Sequence, residues 1–257
     1  MLYGLYLSAQ GAEVQSRRLD VVANNIANAQ TDAFKRDLAI FQAHPPREVI
    51  DGTAGELPGN LNEHTGGTTL AAVVTDFSQG SLVPTGGVYD VALAGPGFFR
   101  VAGKGEEFLT RAGRFTLDRR GELVTQSTGS PVLGAGGRRI RIPTDASRVE
   151  IDADGSVRAF GPDGDAGIVG RLEVVLPETT ALLEKAGNGY YRNLGRQRTA
   201  PPGVAEVRQG HIEGAGAQPV LEMLSMIEAS RAFETNVNMI RTQDESLGNL
   251  LQTVARR

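Results

Sequence analysis

The distribution of glycine is the feature that most constrains this fold. The chain has 33 glycines, yet only Gly11 lies between Leu5 and Ile26, and only Gly248 lies after Pro219. Glycine destabilises helix interiors and favours tight turns. The sequence therefore predicts a helix at each end of the chain and a turn-rich middle built from short strands.

Apolar side chains at both ends recur at the spacing of a helix that packs on another helix. The N-terminal row repeats every seven residues and consists of Leu5, Ala12, Leu19 and Ile26. The C-terminal row has the same repeat and consists of Met226, Phe233, Ile240 and Leu247. A helix over residues 220–254 would be roughly 50 Å long, so its apolar stripe needs a partner.

We therefore expect an α+β fold, in which long N- and C-terminal helices pack as a coiled-coil-like pair and a mostly antiparallel β-domain is inserted between them. The two rows would form a seam, and other chains would cover any stripe that remains. A helix pair inside a monomeric protein is expected to show the same repeat, so the repeat alone does not distinguish polymerisation from intramolecular packing.

The middle of the chain contains two hairpin signals. Residues 118–121 and 152–155 are turn sequences that end in glycine, and short apolar runs flank each of them. Residues 139–142 and 171–176 alternate in the manner of strands, and residues 178–186 suggest a short helix. The predicted regions are an N-terminal assembly helix (1–42), a connector with strand pairing near residues 72–74 (43–87), a β-domain (88–194), a second connector (195–219) and a C-terminal assembly helix (220–257).

Composition excludes several classes of function. The net charge is −4 with both signs interspersed, so there is no basic stripe for a nucleic acid. No stretch is long and apolar enough for membrane insertion, and the first residues lack the pattern of a cleavable secretory signal. There is no cysteine, which removes disulfides and the usual zinc sites.

No residue pattern predicts catalysis, a cofactor or a bound metal. The three histidines, His44, His64 and His211, show no metal-ligand spacing. Acidic residues are plentiful, but nothing marks a catalytic pair among them. The clustered amides Asn24, Asn25 and Asn28 suit either an assembly contact or local capping of a helix end.

Residues 23–36, with the sequence ANNIANAQTDAFKR, resemble the N-terminal signature of flagellar rod and hook proteins. In that family an ANN(I/L)AN run is followed by threonine and then a Phe-Lys pair. The matching positions are Asn24, Asn25, Asn28, Thr31, Phe34 and Lys35. Three further blocks, at residues 89–101, 110–124 and 219–236, resemble family segments in the same order. After Glu213 the chain departs from the family's Ser-Asn-Val, which predicts a looser entry to the last helix.

The resemblance implies a structural subunit of the bacterial flagellar basal-body rod, which polymerises through its terminal helices with itself and with other rod and hook subunits. It also implies a place in the periplasmic rod and passage through the flagellar export apparatus without a cleavable signal peptide. A single β-domain is similar to the proximal-rod and distal-rod proteins, and the short connector after Phe41 favours the proximal one.

Two functions of other classes remain as alternatives. A cell-wall hydrolase acting where the rod crosses peptidoglycan would need a convergent set of carboxylates in a cleft. A secreted β-rich binding module would not need paired terminal helices, so loss of the last helix would leave its binding intact.

Overall fold

The structure, a computed structural model, describes residues 2–44, 66–103, 105–162 and 164–255. The chain has an α+β fold and forms two compact units. The first unit contains residues 1–27, 36–76 and 217–257, and the second contains residues 28–35 and 77–216. Both ends of the chain therefore belong to one unit, and most of the middle forms the other.

The first unit contains both helices, α1 (Leu2–Ala27) and α2 (Pro219–Ala255). The predicted helices at the two chain ends are confirmed. Proline is well suited to the first position of α2, because its ring presets the helical φ and its missing N–H would have no partner there. Glu222 adds an acidic group in the first turn, next to the positive end of the helix dipole.

A β-hairpin completes the first unit. Its strands are β1 (Asp37–Ala43) and β2 (Thr68–Thr75), which pair antiparallel with a bulge between Ile40 and Phe41. The strand pairing predicted near residues 72–74 is confirmed. An ion pair between Arg36 Nε and Asp76 Oδ2, at 3.1 Å, joins the two chain segments beside the hairpin.

The second unit is built from short strands in antiparallel pairs. The strands are β3 (Leu82–Pro84), β4 (Val91–Ala94), β5 (Phe98–Ala102), β6 (Glu107–Thr110), β7 (Phe115–Leu117), β8 (Leu123–Thr125), β9 (Val132–Leu133), β10 (Arg148–Ile151), β11 (Ser156–Phe160), β12 (Ala166–Arg171), β13 (Val174–Pro177), β14 (Leu183–Gly187), β15 (Tyr190–Asn193), β16 (Gln197–Thr199), β17 (Glu206–Gln209) and β18 (His211–Glu213).

The largest sheet has the order β14-β15-β6-β5-β13-β16, and β9 also pairs with β5. The strands β10-β11-β12 form a second sheet, and β17-β4, β18-β3 and β7-β8 are two-stranded. Successive residues of a strand point to opposite faces, so Phe98 and Phe99 of β5 enter two different hydrophobic clusters. Tyr190 and Tyr191 of β15 divide in the same way. The inner strands β5 and β15 of the large sheet are therefore packed on both faces.

Both predicted hairpins are confirmed. Phe115 pairs with Thr125 across the first turn, and Ile151 pairs with Val157 across the second. In the first turn Asp118 Oδ1 accepts hydrogen bonds from the backbone N–H groups of Arg120 and Glu122, both at 2.8 Å. These bonds lower the pKa of the Asp118 carboxyl, the bond from Glu122 contributing most.

The short helix predicted over residues 178–186 is wrong. Only one 3₁₀ turn forms, at Thr180–Leu182, and the chain then enters β14. The reason lies just beyond it, where Asn188 and Gly189 both have positive φ (54° and 73°). That pair is a strong signal for a two-residue hairpin turn, and strand pairing with β15 overrides the helical propensity.

Two other strand predictions are corrected in part. The run over residues 171–176 is interrupted at Leu172 and Glu173, because the chain passes there from β12 in one sheet to β13 in another. Residues 139–142 form only isolated bridges. Their alternation is nevertheless real, since Ile140 and Ile142 are buried while Arg139 and Arg141 are exposed.

Candidate assembly surface

The two helices of the first unit lie side by side in opposite directions, and small residues mark their closest approach. A Cβ atom built on Gly4 would lie 2.9 Å from Gln243 Nε2, and one built on Gly11 would lie 2.7 Å from Asn236 Oδ1. These contacts are seven residues apart on both helices. Glycine thus allows α1 to approach amide side chains of α2 more closely than any other residue would.

The same line of contact continues toward the beginning of α2. Arg18 Nη2 lies 3.7 Å from Glu228 Oε2, in a largely exposed ion pair. Asn25 Nδ2 donates a hydrogen bond to Glu222 Oε2 at 3.3 Å. Ala229, which follows Glu228 on α2, is fully buried. The helix contact is therefore formed by glycine, alanine and polar side chains, with the larger apolar residues beside them.

The predicted seam residues lie next to this line, with differing burial. Ala12 is buried, and Leu5, Leu19 and Ile26 are half-buried. On α2 three of the four are half-buried, and Met226 is exposed. Both predicted rows thus lie beside the line of contact between the two helices. That these residues take part in assembly stays a prediction. The half-buried residues of α2 are Phe233, Ile240 and Leu247.

Substituting Gly11 and Gly248 with alanine tests this close approach. Gly248→Ala is expected to raise the free energy of unfolding by about 0.5–1 kcal/mol, because alanine favours a helix and nothing lies within 4 Å of the added methyl group. Gly11→Ala gains the same helix propensity, but the methyl group would displace Asn236, whose amide is bonded to the Ala232 carbonyl. Because overpacking costs about 1–3 kcal/mol, the net effect is expected to be a loss of about 1 kcal/mol. Thermal unfolding of both variants measures the two changes. Equal increases in their melting temperatures would contradict the close contact at Gly11.

Asn25 of the family signature joins three elements of the first unit. It is 2% exposed. Its side-chain amide donates to the Asp37 carbonyl and accepts from the Asp37 N–H, both at 2.9 Å, in addition to its bond to Glu222. The side chain thereby pairs with the first residue of β1 as a neighbouring strand would. Asn25 is therefore a buried residue of α1 that is hydrogen-bonded to both the hairpin and α2.

The other asparagines of the signature are placed differently. Asn24 is exposed, and Asn28 is half-buried in the turn that follows α1. In that turn the Thr31 N–H donates to the Asn28 carbonyl at 2.9 Å, and Thr31 Oγ1 donates to Asn28 Oδ1 at 3.4 Å. This turn ends the helix and directs the chain into the second unit.

Phe34 and Lys35, the last signature residues, are buried in the second unit. Lys185 Nζ lies 4.5 Å from the centre of the Phe34 ring and donates to the Lys35 carbonyl at 2.7 Å. Lys35 Nζ donates to Glu213 Oε1 at 2.5 Å and to the Ser78 carbonyl at 2.6 Å. A cation this deeply buried needs such partners, because an isolated buried charge is very costly.

Glu213 binds a second cation as well. Arg111 Nη1 lies 3.4 Å from Glu213 Oε2, and the Gly80 N–H donates to Glu213 Oε1 at 2.9 Å. Burial lowers the pKa of the Arg111 guanidinium, and the Glu213 carboxylate opposes that shift. We call Lys35, Arg111 and Glu213 the buried charge cluster. Its two cations share one carboxylate, and Lys35, Arg111 and Glu213 are exposed by 1%, 5% and 0%.

The segments that leave α1 and enter α2 are bonded to each other beside this cluster. The Ala33 N–H donates to the Glu213 carbonyl, and the Gly216 N–H donates to the Phe34 carbonyl, both at 2.8 Å. The Gly214 N–H also donates to the Ser81 carbonyl at 2.8 Å. Although residues 214–218 depart from the family sequence, backbone hydrogen bonds therefore hold the approach to α2.

Sequence reasoning did not single out Arg111, Glu213 or Glu222. Arg111 and Glu222 lie inside blocks that carry the family resemblance, and Glu213 directly precedes the departure from it, but nothing in the sequence shows that Glu213 pairs with Lys35. Val220, Leu224 and Ile227, apolar residues at the beginning of α2, were not singled out either. Val220, Met223, Leu224 and Ile227 form a stripe at helical spacing, which is a readable signal.

These four residues, the helix patch, are exposed on the first two turns of α2. Their exposed fractions are 77%, 50%, 54% and 51% in chain order. A second exposed apolar surface, the hairpin face, consists of Leu38, Ile40, Ala72 and Val74, which share one side of the β1–β2 hairpin. Contiguous apolar surfaces of this kind commonly mark sites of protein association.

Within the described ranges, no group of three or more histidine, aspartate or glutamate side chains is arranged to hold a metal ion. His44 Nε2 is in hydrogen-bond contact with Thr69 Oγ1, and His211 Nδ1 with the Gln209 carbonyl. His64 lies outside the described residues. Neither of the two described helices has a stretch apolar and long enough to cross a membrane.

Three protein-family models match successive parts of the chain. Residues 5–35 match "Flagella basal body rod protein", residues 92–159 match "Flagellar hook protein FlgE/F/G D1 domain", and residues 208–253 match "Flagellar basal body rod FlgEFG protein C-terminal". The flagellar basal-body rod protein FlgF of Caulobacter vibrioides is 38% identical over 238 residues, which cover 92% of this chain and 91% of the relative. The chain belongs to the flagellar basal-body rod protein family.

Other members of the rod family are similar over nearly their whole length. FlgG of Bacillus subtilis is 32% identical over 262 residues, covering 98% of both chains. FlgF of Rhizobium meliloti is 29% identical over 259 residues, covering 99% of this chain and 98% of the relative. The family consists of structural rod proteins and not of enzymes. This rod-family chain is accordingly a structural component of the flagellar basal body that assembles with other rod subunits.

Proposed function

We propose that this chain is the proximal-rod subunit of the flagellar basal body, the FlgF type within the family. The observation that carries the proposal is the length of its alignments. The Caulobacter FlgF alignment has 238 positions and covers 92% of the 257 residues, about 236, so the relative has only about two additional residues. The Rhizobium FlgF alignment has 259 positions and covers 99% of this chain, about 254 residues, so that relative has about five residues without a counterpart here.

The FlgG relatives have more residues without a counterpart in this chain. The Bacillus FlgG alignment has 262 positions and covers 98% of this chain, about 252 residues, so about ten residues of the relative have no counterpart. A FlgG of Buchnera aphidicola is aligned over 271 positions at the same coverage, so about nineteen of its residues have no counterpart in this chain. Fewer insertions favour the FlgF type. The connector after Phe41, which also favours it, lies in part outside the described residues. The distal-rod protein is the alternative within the family.

In this proposal the chain polymerises through its terminal regions, residues 1–42 and 220–257. The helices pair in a coiled-coil-like manner, and the predicted rows beside the line of contact are available to neighbouring subunits. Each subunit presents different surfaces to its neighbours, a heterologous contact that produces an open helical assembly. The β-domain, residues 88–194, and its two connectors are inserted between the helices. Passage through the flagellar export apparatus without a cleavable signal peptide belongs to the same proposal.

Electron microscopy of basal bodies from a strain that lacks this protein tests the assignment. The proximal assignment predicts that assembly stops before the distal rod is added. A basal body with a complete proximal rod that lacks only the distal part would instead assign the chain to the distal rod. Complete basal bodies in the deletion strain would overturn both assignments.

Leu19→Asp tests the proposed seam. A carboxylate at this half-buried position is expected to reduce the amount of the protein in isolated basal bodies by at least about tenfold, because burying a charge without a partner is costly. The second unit should remain folded. Ser16→Asp is the matched control, since Ser16 is exposed on the same helix. Normal incorporation of the Leu19 variant, or equal loss in both variants, would count against the seam.

A further inference from the structure

No described residue of the chain covers the helix patch, because the patch points away from α1. Glu222 and Ala229 lie on the side of α2 that contacts α1 and are nearly or fully buried. On a helix with 3.6 residues per turn, Val220 and Ile227 lie roughly half a turn from Ala229. The exposure of the patch is therefore a consequence of how the two helices pack.

The patch is also confined to the beginning of the helix. The same side of α2 continues with Arg231, Glu234 and Asn238, all of which are exposed. An apolar stripe of two turns, bounded by charged and amide side chains, is about 10 Å long. Its length suits a small docking surface and is too short for a helix-to-helix seam along the whole of α2.

The hairpin face matches this surface in size and chemistry. Leu38 is opposite Val74 and Ile40 is opposite Ala72, so the four side chains share one side of the hairpin. Two residues along a strand span about 7 Å, and the two strands are about 5 Å apart. The hairpin face, like the helix patch, contains no charged residue, so burying one against the other would desolvate no charge.

We infer that the helix patch of one copy packs on the hairpin face of a second copy of this chain. This inference rests on the proposed function, because assembly in the rod supplies the second copy. The two surfaces differ, so the contact is heterologous and leaves each copy with one free helix patch and one free hairpin face. Such a contact extends into a filament when its rotation does not close a ring, whereas a patch-to-patch contact would close after two copies.

Cysteine crosslinking in isolated basal bodies tests the contact, and the absence of any native cysteine makes the result specific. Two versions of the full chain, with tags of different mass, are expressed together in the deletion strain: one carries Ile40→Cys and the other Leu224→Cys. The matched control pairs Ile40→Cys with Glu234→Cys, an exposed position further along the same side of α2. The basal bodies are treated with a mild oxidant and analysed on a non-reducing gel.

The expected result is at least about tenfold more crosslinked product between positions 40 and 224 than between positions 40 and 234, because a direct contact raises the effective concentration of the two thiols. A product that joins two copies at position 224 would mean that helix patches face each other, and it would overturn the inference. Equal yields in the test pair and the control pair would overturn it as well.

The same preparation separates this inference from the proposed function. If the two cysteine variants are present in basal bodies before oxidation but positions 40 and 224 do not crosslink, only the docking contact is wrong. If the protein is absent from basal bodies, the proposed function itself fails. Both thiols replace exposed side chains, so neither substitution is expected to prevent folding.

Discussion

Glu213→Ala is expected to lower the free energy of unfolding of the second unit by about 3–5 kcal/mol, the usual cost of removing one partner from a buried ion pair. Glu213 is completely buried and is bound by Lys35, Arg111 and the Gly80 N–H. Its loss would leave two buried cations close together without this carboxylate. Urea denaturation followed by circular dichroism measures the change.

Glu206→Ala is the matched control, because Glu206 lies in the preceding strand and is paired with Arg208 only at 4.0 Å on the exposed surface. An exposed pair of this kind contributes about 0–1 kcal/mol. Lys35→Met gives a second comparison. It leaves Arg111 and Glu213 as one cation with one carboxylate, so it should destabilise the unit less than Glu213→Ala does. A loss below about 1 kcal/mol for Glu213→Ala would show that the cluster contributes little to stability.

Asn25→Ala is expected to lower the stability of the first unit by about 2–3 kcal/mol, because it removes three hydrogen bonds made by a buried side chain. The N–H and carbonyl of Asp37 would each lose their bond to Asn25, and Glu222 would lose a donor. Asn238→Ala, at an exposed position on α2, should change stability by less than about 0.5 kcal/mol. Thermal unfolding of the two variants measures the difference.

Asn25→Asp separates the two parts of this interaction. The carboxylate can still accept from the Asp37 N–H, but it cannot donate to the Asp37 carbonyl and would repel Glu222. We therefore expect it to be at least as harmful as Asn25→Ala, and Glu222→Gln should restore part of the loss. Equal, small effects of Asn238→Ala and Asn25→Ala would contradict the role of Asn25 as an anchor.

Local signals in the sequence were sufficient for the elements that local interactions determine. The scarcity of glycine predicted both helices, and the turns at residues 118–121 and 152–155 predicted two hairpins. The error over residues 178–186 has the same origin, since the Asn188–Gly189 turn lies outside the stretch that appeared helical. The turn signal at Asn188 and Gly189 favours strand pairing and outweighs the helical propensity of the residues before it.

Interactions between distant residues could not be predicted in this way. The seven-residue repeat located the neighbouring faces of the helices, but not their line of closest approach, because glycines, alanine and amides form that line. Hydrophobicity draws attention to larger side chains, which lie beside it. The pairing of Lys35 with Glu213 joins residues 178 positions apart, and no periodicity of the sequence relates them.

That separation has a consequence for the order of events during synthesis. Lys35 leaves the ribosome early, but the carboxylate that compensates its charge is made only when most of the chain is complete. Burying the lysine before then would place an ammonium group in an apolar interior at high cost. The N-terminal signature segment should therefore stay accessible while the chain grows, and its withdrawal into the interior should be among the last steps of maturation.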